Sequence, residues 1–364
     1  MGYKILTINP GSTSTKVALF DDDQVLFSQN VSHAAEELAK YKELMDQLPY
    51  RKETILEALK DVKLDKLDAV VGRGGGLLPL EGGTYEIDET ILEHSTSSKN
   101  GVVHPANLGP SLAKQFANEY NARAFVVNPP DTDELQPVAR VTGVKDVYRT
   151  VHLHALNLKE TAIRHADSIG KKYEECNFIV CHIGGGVSVS AHKLGKMVDG
   201  NDIVGGEGPM APTRCGSLPA SGLINLCFSS IDKKQAKSLC TRTGGFVSHL
   251  GTSDAREVTQ RIKDGDKMAE LVWETFKYQI VKEIGAMSTV LGGKVDAILL
   301  GGGIVHDKGL VEYINENCSW IAPVTAYPGE FEMEAMASGA TRVLHGVEEL
   351  KVYIGKPIWN GFDF

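Results

Sequence analysis

The order of apolar and polar positions divides this chain into short buried strands and helices with one apolar face. The first apolar run, Ile5, Leu6 and Ile8, reads as a buried strand that turns at Asn9-Pro10-Gly11. Four hydroxyl residues (Ser12, Thr13, Ser14, Thr15) and Lys16 follow. Residues 17–20 then return antiparallel to a turn at Asp21-Asp22-Asp23. A polar stretch over 34–62 keeps helical spacing at Leu38, Leu44, Met45, Leu48, Ile55, Leu56 and Leu59, and Pro49 is expected to interrupt it. Residues 67–71 make a short strand ending at Arg73 and a glycine run. A helix over 108–120, a strand over 124–127 and a long helix opening at His152 and His154 come next; His165 on that helix is expected on a solvated face.

The opening design then recurs. Residues 178–181 read as a buried strand, followed by a turn with Gly184, Gly185, Gly186, Ser188 and Ser190, an antiparallel return and a third strand over 196–199. The simplest reading is an internal duplication with each copy opening a domain, expected at 1–150 and 151–364. A tight turn rich in glycine and hydroxyls gathers backbone N–H and O–H donors in one small volume, and Lys16 adds positive charge to the first copy. A phosphate group needs such a cradle. Two of them facing each other across a cleft would hold the phosphates of one nucleotide from both sides.

The loops between these elements carry further candidates. Arg73 sits at a glycine-rich strand end, where open α/β folds place ligand contacts, and Arg214 stands in a Pro/Gly-flanked loop, suited to bidentate phosphate contact. Thr252, Ser253 and Asp254 precede a helix as an N-cap would. Gly301, Gly302 and Gly303 interrupt an apolar strand and let a flat ligand approach the backbone; beside two phosphate loops, adenine and ribose are the natural occupants. Asp131 and Asp133 follow a strand end, suited to orienting a metal and equally common in turns. Glu330, Glu332 and Glu334 open the last helix, where they favour its dipole and where one has the reach to a magnesium ion. His104 either caps the helix after it or serves the site. The helix over 267–291 reads as core through Leu271, Val272, Phe276, Ile280, Ile284 and Met287.

Composition narrows the class. The 364 residues favour two domains, and 42% hydrophobic with 23% charged residues is the make-up of a globular protein. A formal net charge of −9 argues against nucleic acid or an anionic membrane as partner, while a local basic pocket still admits a small anion. No apolar run is long enough to span a bilayer and MGYKILTINP lacks a signal-peptide profile, so a cytoplasmic location is expected. The six cysteines form no C-x-x-C pair and read as reduced thiols.

Strand, Gly-rich loop and strand occurring twice, with a third Gly-rich loop, resembles the actin-like ATPase superfamily. Within it, NPGSTSTK and CHIGGGVSV resemble the two signatures of the acetate and butyrate kinase family. The butyrate kinases are closer, through INPGSTSTK, GRGG, HALN, the second-loop GGG and TSDARE, over essentially the whole chain. The resemblance implies an α/β fold of two duplicated actin-like (ribonuclease H-like) domains with an interdomain nucleotide cleft. The acyl substrate would lie on the 1–150 side and the nucleotide on the 151–364 side. It implies phosphate and metal contacts at Asn9, Ser12, Ser14 and Lys16, with the second loop, Gly184, Gly185 and Gly186, on phosphate too. It puts active-site arginines at Arg73 and Arg214 and site histidines at His104, His154 and His182. Adenosine contacts would lie at Asp254, Arg256 and Gly301, Gly302 and Gly303, and a magnesium-linked carboxylate at Glu332. One departure stands out: similar proteins carry aspartate where this chain has Asn128. Either Asp131 or Asp133 replaces it, or phosphates, water and Glu332 hold the metal. The implied reaction uses ATP/ADP and Mg²⁺ to phosphorylate butanoate reversibly; isobutyrate, propionate and acetate are the nearest alternatives, a non-metabolic actin-like ATPase the most distant. The family also implies a homodimer or larger assembly, and residues 218–228 and 267–291 offer apolar surface for an interface or for core packing.

Overall fold

The opening apolar run forms β1 (Lys4–Pro10), paired antiparallel with β2 (Ser14–Asp21), which pairs in turn with β3 (Gln24–Ser32). On the other side of β1, β4 (Ala69–Gly72) and β6 (Arg123–Val127) join in parallel, and β5 (Thr84–Glu86) closes the edge antiparallel. Sheet order is β3-β2-β1-β4-β6-β5. Side chains alternate between the faces, and the central strands are apolar on both because helices cover both. Leu6, Ile8, Val70 and Val126 cluster with Leu112 and Phe116 of helix Gly109–Tyr120. On the opposite face Val127 lies against Gly339 of helix Glu332–Leu344.

The second sheet repeats the plan. β7 (Asn177–Ile183), β8 (Val187–Lys193) and β9 (Lys196–Gly200) form the antiparallel trio, and β10 (Ala297–Gly302) and β11 (Val324–Pro328) add in parallel beyond β7. The order β11-β10-β7-β8-β9 matches that of the first sheet around its own hairpin, as the repeated sequence pattern anticipates. One face packs Ile179 and Val189 on Phe276 and Ile280 of helix Lys267–Val290. The other packs Phe178, Val180 and Leu299 on Leu158 and Ala162 of helix Ala155–Ser168.

The computed structural model describes residues 2–362. Contacts divide the chain into one unit made of the residues up to Asp133 with those from Phe331 on, and a second unit, Glu134–Glu330. This differs from the sequence division at 150 at both ends. Residues 134–150 belong with the second sheet because Gln136 N donates to Val198 O, and Arg149 pairs with Asp199 at 2.9 Å and Glu207 at 3.2 Å. The last helix belongs with the first sheet because it buries Met333, Ala335 and Met336 there.

Three local expectations are corrected. Pro49 opens helix Leu48–Leu59 rather than interrupting one, since the first turn has no use for its missing N–H. His165 is buried against Phe178 with its Nδ1 2.8 Å from the Tyr327 hydroxyl, a polar partner that lets an imidazole enter the core. Leu271, assigned to the core stripe, is 62% exposed. Of the two readings of residues 218–228, core packing is not the one found: helix Ala220–Ser229 buries none of its residues, and Phe228 is 90% exposed. Among the described residues no helix is long and apolar enough to cross a membrane.

Candidate active site

In the first unit, β1 and β2 deliver Asn9 and Lys16 as register partners at the open end of the hairpin. Gly11 N donates to Ser14 O at 2.7 Å, closing the turn, with Ser12 exposed and Ser14 half-buried. Arg73 follows β4 and is held beside the end of β1 by its N–H donating to Ile8 O at 2.9 Å. Glu332, the first residue of the last helix, meets all three. Asn9 Nδ2 donates to Glu332 Oε2 at 2.6 Å, Lys16 Nζ lies 4.0 Å from that oxygen, and Arg73 Nε lies 3.9 Å from Oε1. Burial lowers the pKa of the Arg73 guanidinium, against the opposing pull of Glu332 and Asp131. One carboxylate thus gathers two cations and an amide donor, groups that equally serve an incoming phosphate.

The second unit builds a different cluster on its hairpin. His182 comes from β7, and His154 occupies the N-cap position of helix Ala155–Ser168. Their rings stack with centroids 4.0 Å apart, and Ser188 Oγ of β8 lies 2.8 Å from His154 Nδ1, fixing that edge of the ring. Arg214 reaches the loop itself. Its Nη1 lies 1.5 Å from where a Cβ on residue 186 would stand, and His154 Cε1 lies 3.1 Å from that point. Any side chain at 186 would push the Arg214 guanidinium aside. Arg214 Nε and Nη1 are buried without hydrogen-bond partners among the described residues, and burial lowers the guanidinium pKa against the pull of Asp202. Unused guanidinium donors of this kind have the chemistry that suits an anion.

Beside this loop opens a pocket of about 680 Å³, reached by Gly184 and Gly185 and by Asp254, Arg256 and Gly303. Trp273, stacked on Phe276 with centroids 5.4 Å apart, contributes an aromatic surface to it. The volume suits a nucleotide-sized ligand.

Residues 131–315 match the Acetokinase family. A protein of Clostridium botulinum (strain Alaska E43 / Type E3) described as "Probable butyrate kinase" is 46% identical over 356 residues, 97% of this chain and 100% of the relative. The chain belongs to the acetokinase family. Among solved structures, Porphyromonas gingivalis acetate kinase superposes with a TM-score of 0.75 at 19% identity, covering 94% of this chain and 100% of that one. A propionate kinase from Francisella tularensis subsp. tularensis SCHU S4 gives 0.69 at 19% identity, covering 93% and 98%. These likenesses carry the fold, and the expected α/β architecture of duplicated actin-like domains is the one found.

On this acetokinase-family chain the remaining candidates, pocket-lining ones included, also have local partners or positions in the fold. Asp254 is the N-cap of helix Ala255–Lys263; its carboxyl, depressed to about 2 chiefly by Arg256, pairs with that guanidinium at 2.8 Å. Gly301 and Gly302 are buried within β10, and of the three glycines Gly303 lines the pocket. His104 is exposed and accepts from Ala106 N at 3.1 Å, a capping role. Asn128 adopts the left-handed conformation (φ 38°) and its Oδ1 accepts from Gly83 N at 2.7 Å, so its side chain braces a turn. Asp131 accepts from Leu77 N at 3.3 Å, and Asp133 is buried in the same loop. Sequence reasoning passed over Trp273, His306 and Asp307 of the pocket: helical spacing explains the first as core, and the other two follow the 301–303 glycine run, a signal that could have found them.

Proposed function

We propose that the protein is a short-chain fatty acid kinase that transfers the γ-phosphoryl group of ATP to butanoate, reversibly. The observation that carries this reading is the gathering of Asn9, Lys16 and Arg73 on Glu332, with Arg214 offering unused donors on the second hairpin. Both hairpins supply positive charge and hydrogen-bond donors. A carboxylic acid with a pKa of about 4–5 is ionised at neutral pH and needs no base to become a nucleophile. Its difficulty is that an anion must approach a polyanion, and cations with fixed donors are the remedy. A carboxylate oxygen of butanoate forms the new bond to the γ-phosphorus while the bond to the β–γ bridging oxygen breaks. ADP leaves with that electron pair, and no proton moves.

The second unit holds the nucleotide, with Trp273 and Gly303 toward the base and the 184–186 loop toward its phosphates. The first unit supplies Arg73 and Lys16 to the acid and the transferred group. Magnesium fits the first cluster: kinase sites hold Mg²⁺ through one or two protein oxygens and the substrate phosphates. Glu332 and Asn9 offer such a pair, and among the described residues no group of three or more His, Cys, Asp or Glu could cage a metal. The ion would neutralise charge on the β- and γ-oxygens. Butanoate is chosen because relatives matching nearly the whole chain are described as "Probable butyrate kinase".

Acyl phosphate trapped with hydroxylamine, measured across acetate, propionate, butanoate and isobutyrate, tests the proposal. One methylene is worth about 1–3 kcal/mol, so kcat/KM should peak at butanoate by roughly tenfold or more. A peak at acetate would overturn the choice of acid. Phosphorylation of a hexose and of no acid would overturn the class.

A further inference from the structure

Behind the first turn lies a charge that neither cluster uses. Arg51, on helix Leu48–Leu59, is fully buried in phase with Ile55 and Leu59. Its Nη1 donates to Ser14 O at 3.2 Å and to Thr15 Oγ1 at 3.0 Å, and its Nε donates to Gln47 Oε1 at 3.0 Å. His33 completes the support, with Nε2 2.8 Å from Thr15 Oγ1 and its backbone N–H donating to Thr13 O at 2.8 Å. Every partner of Arg51 is neutral. Among the described residues it pairs with no carboxylate, and its Nη2 is buried with no partner.

A buried cation without a counter-ion is costly, and hydrogen bonds to a carbonyl and a hydroxyl do not by themselves call for a charge. A neutral amide would knit the same turn. The turn presents Ser12 and Lys16 on its exposed side and rests on Arg51 on its buried side. We infer that Arg51 is a positioning residue for the transferred phosphate: it fixes the 11–15 turn and holds, beneath it, a positive charge that the polyanion balances on binding. The inference rests on the proposed role of this turn as the cradle of that phosphate. Arg51 touches neither substrate; it acts through the turn and through its field, which is little screened in the core.

Calorimetric dissociation constants for ATP and for ADP, each with Mg²⁺ and without a carboxylate, test it. Only ATP carries the phosphate in question. Arg51→Met should weaken ATP about tenfold or more and change ADP by less than about twofold, while Arg51→Lys, which keeps the charge and loses the fork, should stay within about threefold of wild type for both. Arg51→Gln, which can still donate to Ser14 O, gives the same reading if Arg51→Met does not fold. An ATP-to-ADP ratio unchanged in a folded neutral variant, or equal weakening of both nucleotides, would overturn the inference. Because the readout is nucleotide binding, wild-type protein that phosphorylates no acid would sink the proposed reaction and leave this ratio to judge Arg51 separately.

Discussion

At the first hairpin the positive groups already have a carboxylate: Glu332 accepts from Asn9 and draws Lys16 and Arg73 to within 4.0 Å and 3.9 Å. At the second, Arg214 lies against Gly186 beside His154 with Nε and Nη1 unused, and Asp202 acts on it only through its field. The strand plan is shared, but the carboxylate lies within ion-pair distance at the first hairpin, and among the described residues Arg214 has no such pair at the second. On the proposed reading, a phosphate arriving at the first cluster would share its donors with Glu332. On the same reading, the donors of the second have no carboxylate paired to them, so more of their interaction with developing charge would be available to the transition state.

The comparison ranks the arginines. Arg214→Ala should lower kcat on the order of 10³-fold, as loss of an arginine finger does, whereas Arg73→Ala, whose charge Glu332 partly offsets, should cost about 10²-fold. Steady-state kinetics on variants with wild-type circular dichroism decides the order, and equal losses would erase the distinction. Gly186→Ala sharpens it further. The added methyl group would occupy the space of the Arg214 guanidinium and displace it by an ångström or more, for an expected loss of about 10²-fold in kcat with the fold intact. Full activity in that variant would mean that Arg214 works from elsewhere. The smallest expected effect belongs to the first hairpin alone. Burial and the nearby Arg51 hold the His33 pKa down, from 6.5 to about 4. The unfolded chain then binds a proton that the folded one refuses between those values. His33 therefore stabilises the fold above about pH 6.5, and its contribution declines as pH falls toward 4. Denaturant melts of wild type and His33→Gln across that range should converge at low pH; parallel curves would remove His33 from the account.

Both hairpins were legible in the sequence because fully buried strands are unbroken apolar runs and because glycine and hydroxyl turns mark their ends. That Asn9, Lys16, Arg73 and Glu332 belong together came from the family resemblance, since no periodicity links positions 323 residues apart. The unit boundary was misplaced for the same reason: composition does not change at 133, and nothing local to residues 331–344 says which sheet that helix covers. Helical spacing puts His165 on the surface because it treats histidine as polar, and the partner that meets its ring in the core, the Tyr327 hydroxyl, is distant in sequence. Arg51 did leave a trace. It keeps the i, i+4 phase of Ile55 and Leu59, and an arginine in step with an apolar stripe is a residue the core has accepted.

The last helix has a consequence for how the protein is made. Residues 134–330 form a unit continuous in sequence, free to assemble once synthesised. The first unit lacks the cover of β1 and the Glu332 carboxylate until residues beyond 331 have left the ribosome. The part of the chain translated first is thus the last to be finished, and its apolar sheet face stays open throughout elongation.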